Sequence, residues 1–537
     1  MKKFLFFNVI ALIISLSACN NEEPLEQNYT VPSWTLYKRA LVSGKSVEEA
    51  KDLLISKNYP YNVNTTINGD PSKQMGIAWF TNAGVTEGVV QIVEGRAKRA
   101  LAFFRARTIA AFSVAFDTVN YVSAGSNNRN SNAELITATG FTGGEKRSYT
   151  SNKALIDNLK PNTLYSYRVG KRRAWSEIGS FTTASGGKEE FEFIYITDTQ
   201  ASNDASFDAS QRTVEAAYRQ TPEARFMLIT GDLVSSSSSQ TSEWEWEQWF
   251  EKLQNVLLRL PVAAAQGNHD TSPYNNMFYH FNADNSFNAQ QTGNESRTNI
   301  GGTVYSFVYG DALFMVVNYE DYRKGEPYFA ALERWMRKQV ADNPGVKWRI
   351  AAFHKAMFTG GNLHQDGGDA RIVRERMLPV FQEIDIDFAI QGHGHIYEVI
   401  GVLSAEKTEN GVAITHLPDA VSEQRFVEPT FANGATTSTS ATGKEGGTFN
   451  VASGTLYFMN NSAGMNRYYP RSEQQMQAAL PIHGIPNYYE LFNKFGQPNE
   501  STFSRVKVST NVIEIETYTV NNNGETALFD SFRVVKN

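Results

Sequence analysis

The chain has 537 residues, too many for one ordinary hydrophobic core, and its 41% hydrophobic and 20% charged residues with 39 glycines describe a folded, turn-rich protein of several domains. Its formal net charge of −6, or −8 once Lys2 and Lys3 leave with a cleaved leader, argues against the basic footprint that binding to a nucleic-acid backbone requires. No nucleic-acid surface is expected.

In chain order, Lys2 and Lys3 followed by the apolar run Phe4–Leu16 read as a secretion signal over residues 1–18, too short to persist as a membrane span. The segment Leu16-Ser17-Ala18-Cys19 resembles the lipobox of bacterial lipoproteins. That resemblance implies cleavage before Cys19 and its acylation, hence an extracytoplasmic protein held by lipid at the periplasmic face of a bacterial membrane or at the cell surface. Cys19 is the only cysteine, so no internal disulfide is available and any metal site must draw on oxygen and nitrogen donors. Residues 19–58 are read as a polar tether and a short amphipathic helix, with Val47, Ala50, Leu53 and Leu54 at helical spacing.

Residues 59–183 change to short alternating segments separated by Gly, Asn and Asp, the pattern of an all-β antiparallel sandwich. Within them Met75–Trp79, Leu164–Gly170 and Ser180–Thr183 resemble the fibronectin type III-like domain that precedes the catalytic domain of purple acid phosphatases. A Gly/Ser-rich linker, 184–189, leads into 190–537, where the pattern alternates between strand and helix. Strands are predicted at 191–197, 225–230, 261–266, 304–309, 312–318, 348–353 and 387–391, and helices at 205–219, 242–258, 327–340 and 370–384. This implies a layered α/β domain, a βαβ sandwich, with ligands bound beyond the carboxyl ends of its strands. Residues of about 403–500 look less regular and are read as an insertion carrying the low-complexity run Ala435–Ala441; Ser504–Lys536 reads as closing strands.

Five polar segments end or follow those strands: Asp198-Thr199-Gln200, Gly231-Asp232, Gly267-Asn268-His269-Asp270, Phe353-His354 and Gly392-His393-Gly394-His395. A single Gly-Asp or His means little, since Gly-Asp after a strand is usually a turn. The ordered set resembles the calcineurin-like metallophosphoesterases, over about Glu190 to Val402, and with the preceding sandwich it points to their purple acid phosphatase-like branch. The resemblance implies one metal site of Asp198, Gln200, Asp232 and His395 and a second of Asp232, Asn268, His354 and His393, bridged by Asp232. Carboxylate, amide and imidazole donors suit two divalent or mixed-valence ions of Fe, Mn or Zn. Such a pair lowers the pKa of a water held between the ions and clamps the attacking and leaving oxygens of an in-line displacement at phosphorus, so no covalent enzyme nucleophile is needed.

His269 is expected to point into the site, to bind a phosphate oxygen or protonate the leaving group, with Asp270 fixing its tautomer. His364 stands ten residues after His354 and resembles the histidine that lies beyond the metal ligands in purple acid phosphatases, a rival for the proton. Two positions depart from the family patterns: Gln200 stands where many members have His, and Ser235 where purple acid phosphatases have the tyrosine whose phenolate gives the colour. His280, His416 and His483 read as structural or surface residues, and Trp244, Trp246, Trp249 and Phe250 as a helix face packed on the sheet. The segment Tyr457–Gly464 resembles the glycine-bearing loop near the site. The expected partner is a small phosphorylated substrate, a phosphomonoester first. A phosphodiesterase or nucleotidase shares the same core, and a non-catalytic surface-binding lipoprotein is a third reading.

Overall fold

The computed structural model describes residues 33–55, 59–120, 146–171, 174–235, 243–271, 276–287, 301–362, 364, 368–409, 411–422, 425–427, 442–472, 474–475 and 488–537. The leader, Cys19, the run Ala435–Ala441 and His483 lie outside them.

Two large sheets face each other. In the first, the parallel strands Phe191–Ile196, Ala224–Ile229 and Val262–Ala264 sit beside the antiparallel strands Ser501–Val508, Val512–Val520 and Thr526–Val535. In the second, Ala312–Val316, Trp348–Ala352, Phe388–Gln391 and Thr455–Met459 are parallel neighbours. The continuous apolar runs follow from burial on both faces. Along Phe191–Ile196, Phe193 and Tyr195 enter the core between the sheets while Ile194 and Ile196 face the outer helices, the two-residue period of a strand.

The inner core is aromatic. Phe193 stacks on Phe226 at 5.0 Å and Phe307 on Phe314 at 4.9 Å, and each pair meets the other edge to face. Such ring pairs are worth about 0.5–1.5 kcal/mol each beyond their buried area. Outside the first sheet lie helices Asp204–Gln220, whose start is fixed by a capping box of Asn203 and Ser206, and Glu243–Leu257. Helices Glu326–Asp342 and Gly368–Glu383 cover the second. Helix, sheet, sheet and helix thus form the expected layers. Among the described residues no helix is long and apolar enough to cross a membrane.

Two features of the fold go beyond the sequence reading. The strands Tyr61–Thr66, Met75–Asn82, Lys146–Ile156 and Phe112–Asn120 do not stand apart from the α/β layers: Thr66 pairs with Val262 in parallel, so they extend the first sheet at its edge. The opposing five-stranded sheet includes Val89–Glu94, Arg107–Ala110 and Leu164–Lys171. The junction is polar and aromatic: Asn64 Nδ2 donates to the His280 carbonyl (2.9 Å), and the buried His280 ring lies 4.4 Å from that of Phe80 and 4.7 Å from that of Trp246. This is the structural role read for His280. Second, the stretch 403–500 contributes to the core between the sheets through Leu456 and Phe458. Its buried run Thr455–Met459 is an interior strand of the second sheet, a fully apolar segment that the irregular sequence around it concealed.

Candidate metal centre

Each polar segment leaves the carboxyl end of a parallel strand, and there the backbone turns sharply. Five of the seven expected ligands have positive φ: Asp198 (53°), Gln200 (36°), Asp232 (52°), His393 (76°) and His395 (48°). This conformation costs a non-glycine residue free energy, of order 1–3 kcal/mol, and persists where the surrounding structure holds it, commonly at functional sites. The glycines in the motifs have a steric reason. A Cβ on Gly267 would come within 2.2 Å of Asp232 Oδ1, and one on Gly231, itself at φ +91°, within 2.7 Å of His354 Nδ1.

The buried donors fall into two groups that share Asp232: Asp232, His354 and His393, and Asp198, Asp232 and His395, each with ligand atoms within 4.8 Å of one another. In the first, the Thr230 carbonyl accepts from His354 Nδ1 at 2.7 Å, which assigns that nitrogen its proton and turns Nε2 toward Asp232 Oδ2 (3.2 Å), Asn268 Oδ1 (3.1 Å) and His393 Nδ1 (3.1 Å). Lone-pair atoms converging in this way fit a cation. In the second, His395 Nδ1 donates to the Asn466 carbonyl (3.2 Å) and its Nε2 lies 3.1 Å from Asp198 Oδ1. Asp198 Oδ2 takes the Thr197 hydroxyl at 2.6 Å and the His393 amide at 3.0 Å, which fixes the carboxylate's plane.

The field is that of an anion cage. Burial alone would lower the His354 imidazole, but Asp232, Asp198 and Glu320 hold it up to about 10. Burial alone would raise Asp232, yet His354 and His269 keep it well below the usual carboxylate range. An arrangement that retains a proton so firmly on an imidazole is one that a divalent ion, replacing that proton, would neutralise.

One expected contact is absent. Asp270 does not touch the His269 ring; it is buried, and its carboxylate accepts from the backbone amides of Gly267 (2.9 Å) and Leu233 (2.9 Å), lacing two ligand loops together. Burial and the charge of Asp232 push it up to about 8. The His269 ring instead bonds through Nδ1 to the Ser235 carbonyl (2.5 Å), and its amide donates to Asp232 Oδ1 (2.8 Å). Sequence spacing could not show this, because a neighbouring residue in a turn points elsewhere. His364 does reach the cluster: its ring centre lies 3.8 Å from that of His393 and 5.6 Å from that of Tyr468.

The segment after Thr455–Met459 closes the site, as read for Tyr457–Gly464: Ser462 Oγ donates to the Asp198 carbonyl (2.6 Å) and the Ala463 amide to Thr197 (2.9 Å). The closing loop also contributes residues beyond Gly464 that the sequence did not announce. Asn466 Nδ2 donates to Gln200 Oε1 (2.7 Å), and Tyr468 stacks on His395 at 4.4 Å. Lys355, buried beside His354 and paired with Glu320 (3.2 Å) and Asp369 (2.8 Å), was missed as well. The Trp244–Phe250 cluster is packing, as expected, though Trp249 also braces the site by donating to Thr199 Oγ1 at 3.1 Å. Because Asn466 orients the amide oxygen expected to bind, Asn466→Ala should weaken one of two metal ions about 10- to 100-fold and leave the other unchanged, as read by metal titration calorimetry.

Residues 60–183 match the family model described as the purple acid phosphatase N-terminal domain, and residues 191–397 that of the calcineurin-like phosphoesterases. The probable purple acid phosphatase 20 of Arabidopsis thaliana is 25% identical over 257 residues, which span 47% of this chain and 56% of that protein, so the match covers little more than half the relative's length. A purple acid phosphatase from yellow lupin seeds superposes with a TM-score of 0.58 at 14% identity, covering 89% of this chain and 75% of the lupin chain. PhoD superposes with a TM-score of 0.52 at 10% identity over 89% and 91% of the two chains; both likenesses are of fold. With both domain types matched in order and the paired donor groups at the strand ends, the chain carries a calcineurin-like phosphoesterase domain over residues 191–397 behind a purple acid phosphatase N-terminal domain over residues 60–183.

Proposed function

We propose that this protein hydrolyses a phosphomonoester at a dinuclear metal centre. The observation that carries the reading is the pair of buried donor groups sharing Asp232, whose two oxygens face different neighbours, Oδ1 the His269 amide and Oδ2 the His354 ring. Asp198, Gln200, Asp232 and His395 would hold one ion and Asp232, Asn268, His354 and His393 the other. Such a pair supplies Lewis acidity and an activated water to phosphoester cleavage. The chain's own residues do the rest. Thr230 and the Asn466 carbonyl fix the tautomers of His354 and His395, so that each presents Nε2. Asp270 and Ser462 hold the ligand loops in register. With the Ser235 carbonyl on its Nδ1, His269 hands any proton to a leaving group from Nε2. No tyrosine occupies position 235, so a purple chromophore is not expected.

Metal analysis of the purified protein, with turnover of an aryl phosphate against a bis-aryl phosphate, tests the proposal. Two ions per chain and a preference for the monoester are expected. Diester preference would move the assignment to a phosphodiesterase, and a metal-replete protein inert on both would refute it. We also infer that Cys19 carries lipid, because a lipobox-like segment precedes the sole cysteine. Mass spectrometry of the N-terminal peptide should find Cys19 acylated; an unmodified Cys19 peptide would rule this out.

A further inference from the structure

Between strands Val89–Glu94 and Arg107–Ala110 the chain runs through Arg96, Lys98, Arg99 and Arg105 without a single acidic residue and enters the second strand at Arg107, a local concentration of positive charge that the net −6 of the chain conceals. The middle of this connection, Ala100–Arg105, is a 3₁₀ helix. Residues three apart on such a helix lie on one side. Leu101 and Phe104 form that side and stand in water at 82% and 85% exposed, whereas Phe103 is buried at 2%.

The loop is held in this shape. Phe103 lies under the Arg168 guanidinium (4.7 Å), which is itself bonded to Gln91 Oε1 (2.9 and 2.7 Å) and lies 4.3 Å from the Trp175 ring. At its start the Ala97 amide donates to Ser166 Oγ (2.8 Å), and at its end Arg107 Nη2 donates to the Asp157 carbonyl and carboxylate (2.6 and 2.9 Å). Arg107 is thereby neutralised. Among the described residues Arg96, Lys98, Arg99 and Arg105 have no acidic partner, and all four are exposed.

A fixed turn that presents two large apolar side chains among four unpaired cations has the composition of a membrane-surface element: apolar groups enter the boundary between headgroups and acyl chains while Arg and Lys meet anionic headgroups. We propose that the loop 95–107 docks onto a bilayer surface bearing anionic phospholipid, with Leu101 and Phe104 inserted. The negative charge of the remaining chain turns the rest of the molecule away from the same surface and so sets its orientation. The proposal stands whether or not Cys19 is acylated.

The test uses the full chain with Phe104→Cys labelled by a nitrobenzoxadiazole dye, the unsubstituted chain being treated in parallel to account for Cys19. Vesicles of phosphatidylcholine alone are compared with vesicles of phosphatidylcholine and phosphatidylglycerol in equal parts. Emission should brighten and shift to the blue only on the anionic vesicles. The ratio of buried to aqueous label should fall about fivefold for each of Arg96→Gln, Lys98→Gln, Arg99→Gln and Arg105→Gln. A label at Leu528→Cys, 58% exposed, should stay aqueous throughout. An aqueous label at position 104 on anionic vesicles would overturn the proposal, as would an equal response at 528. Salt-reversible binding with the label at 104 still in water would also overturn it, since that marks a site for polyanions held by charge alone.

Discussion

Asp232→Asn should leave one metal ion or fewer per chain and lower turnover by roughly 10³-fold or more, because a two-ion clamp supplies several kcal/mol to phosphoryl transfer. The exchange isolates charge from shape. Asparagine is among the few residues that adopt a left-handed backbone readily, so the φ of 52° at this position is retained. Its Oδ1 still accepts the His269 amide, which lies 2.8 Å from the present carboxylate oxygen. What is lost is the negative charge, together with the second oxygen that faces His354 Nε2 at 3.2 Å; the new NH₂ offers no lone pair to a metal ion and donates instead to the unprotonated Nε2. Plasma mass spectrometry for metal, turnover of an aryl phosphate and circular dichroism for the fold belong together in this test. Wild-type turnover in the variant, or in wild type stripped by a chelator, would refute a metal-dependent mechanism.

The layers and the gathering of the candidate ligands at the strand ends were legible because both rest on short-range pattern. A buried parallel strand has to be apolar on both faces, and the chain beyond its carboxyl end has to turn, so Phe191–Ile196 before Asp198 or Phe388–Gln391 before His393 declares itself. Contacts made across sequence distance were not legible. The extension of the first sheet rests on one parallel pairing, Thr66 with Val262, which no local pattern encodes. Asn466 lies 266 residues from the Gln200 it orients. The basic loop at 95–107 was open to reading, but net charge averaged it away. Asp270 illustrates another limit: adjacency to His269 suggested a partner, whereas two unsatisfied amides at strand ends claimed its carboxylate.

The proton for the leaving group is expected to come from His269, with His364 as a hydrogen-bonding and packing neighbour. Burial, reinforced by the charges of His395, Lys355 and His354, pulls the His364 imidazole down to about 4. Above about pH 5 the ring is therefore mostly neutral, and it becomes an imidazolium only as the pH falls through 4. A neutral ring lying 3.8 Å from His393 donates a hydrogen bond from N–H but is a weak acid toward an alkoxide. His269 differs in geometry: the Ser235 carbonyl engages its Nδ1 and the Asp232 carboxylate its amide, so the ring is fixed beside the bridging ligand with Nε2 as the atom that releases a proton. His364→Ala should therefore keep both ions and lose about 10²-fold, nearly equally across leaving groups. His269→Ala should lose up to about 10⁴-fold on alkyl phosphates and far less on nitrophenyl phosphate, whose leaving group needs no proton. Turnover of both variants across a series of leaving-group pKa values, at constant metal content, separates the two roles. A steeper dependence on leaving-group pKa in His364→Ala than in His269→Ala would reverse the assignment and make His364 the acid.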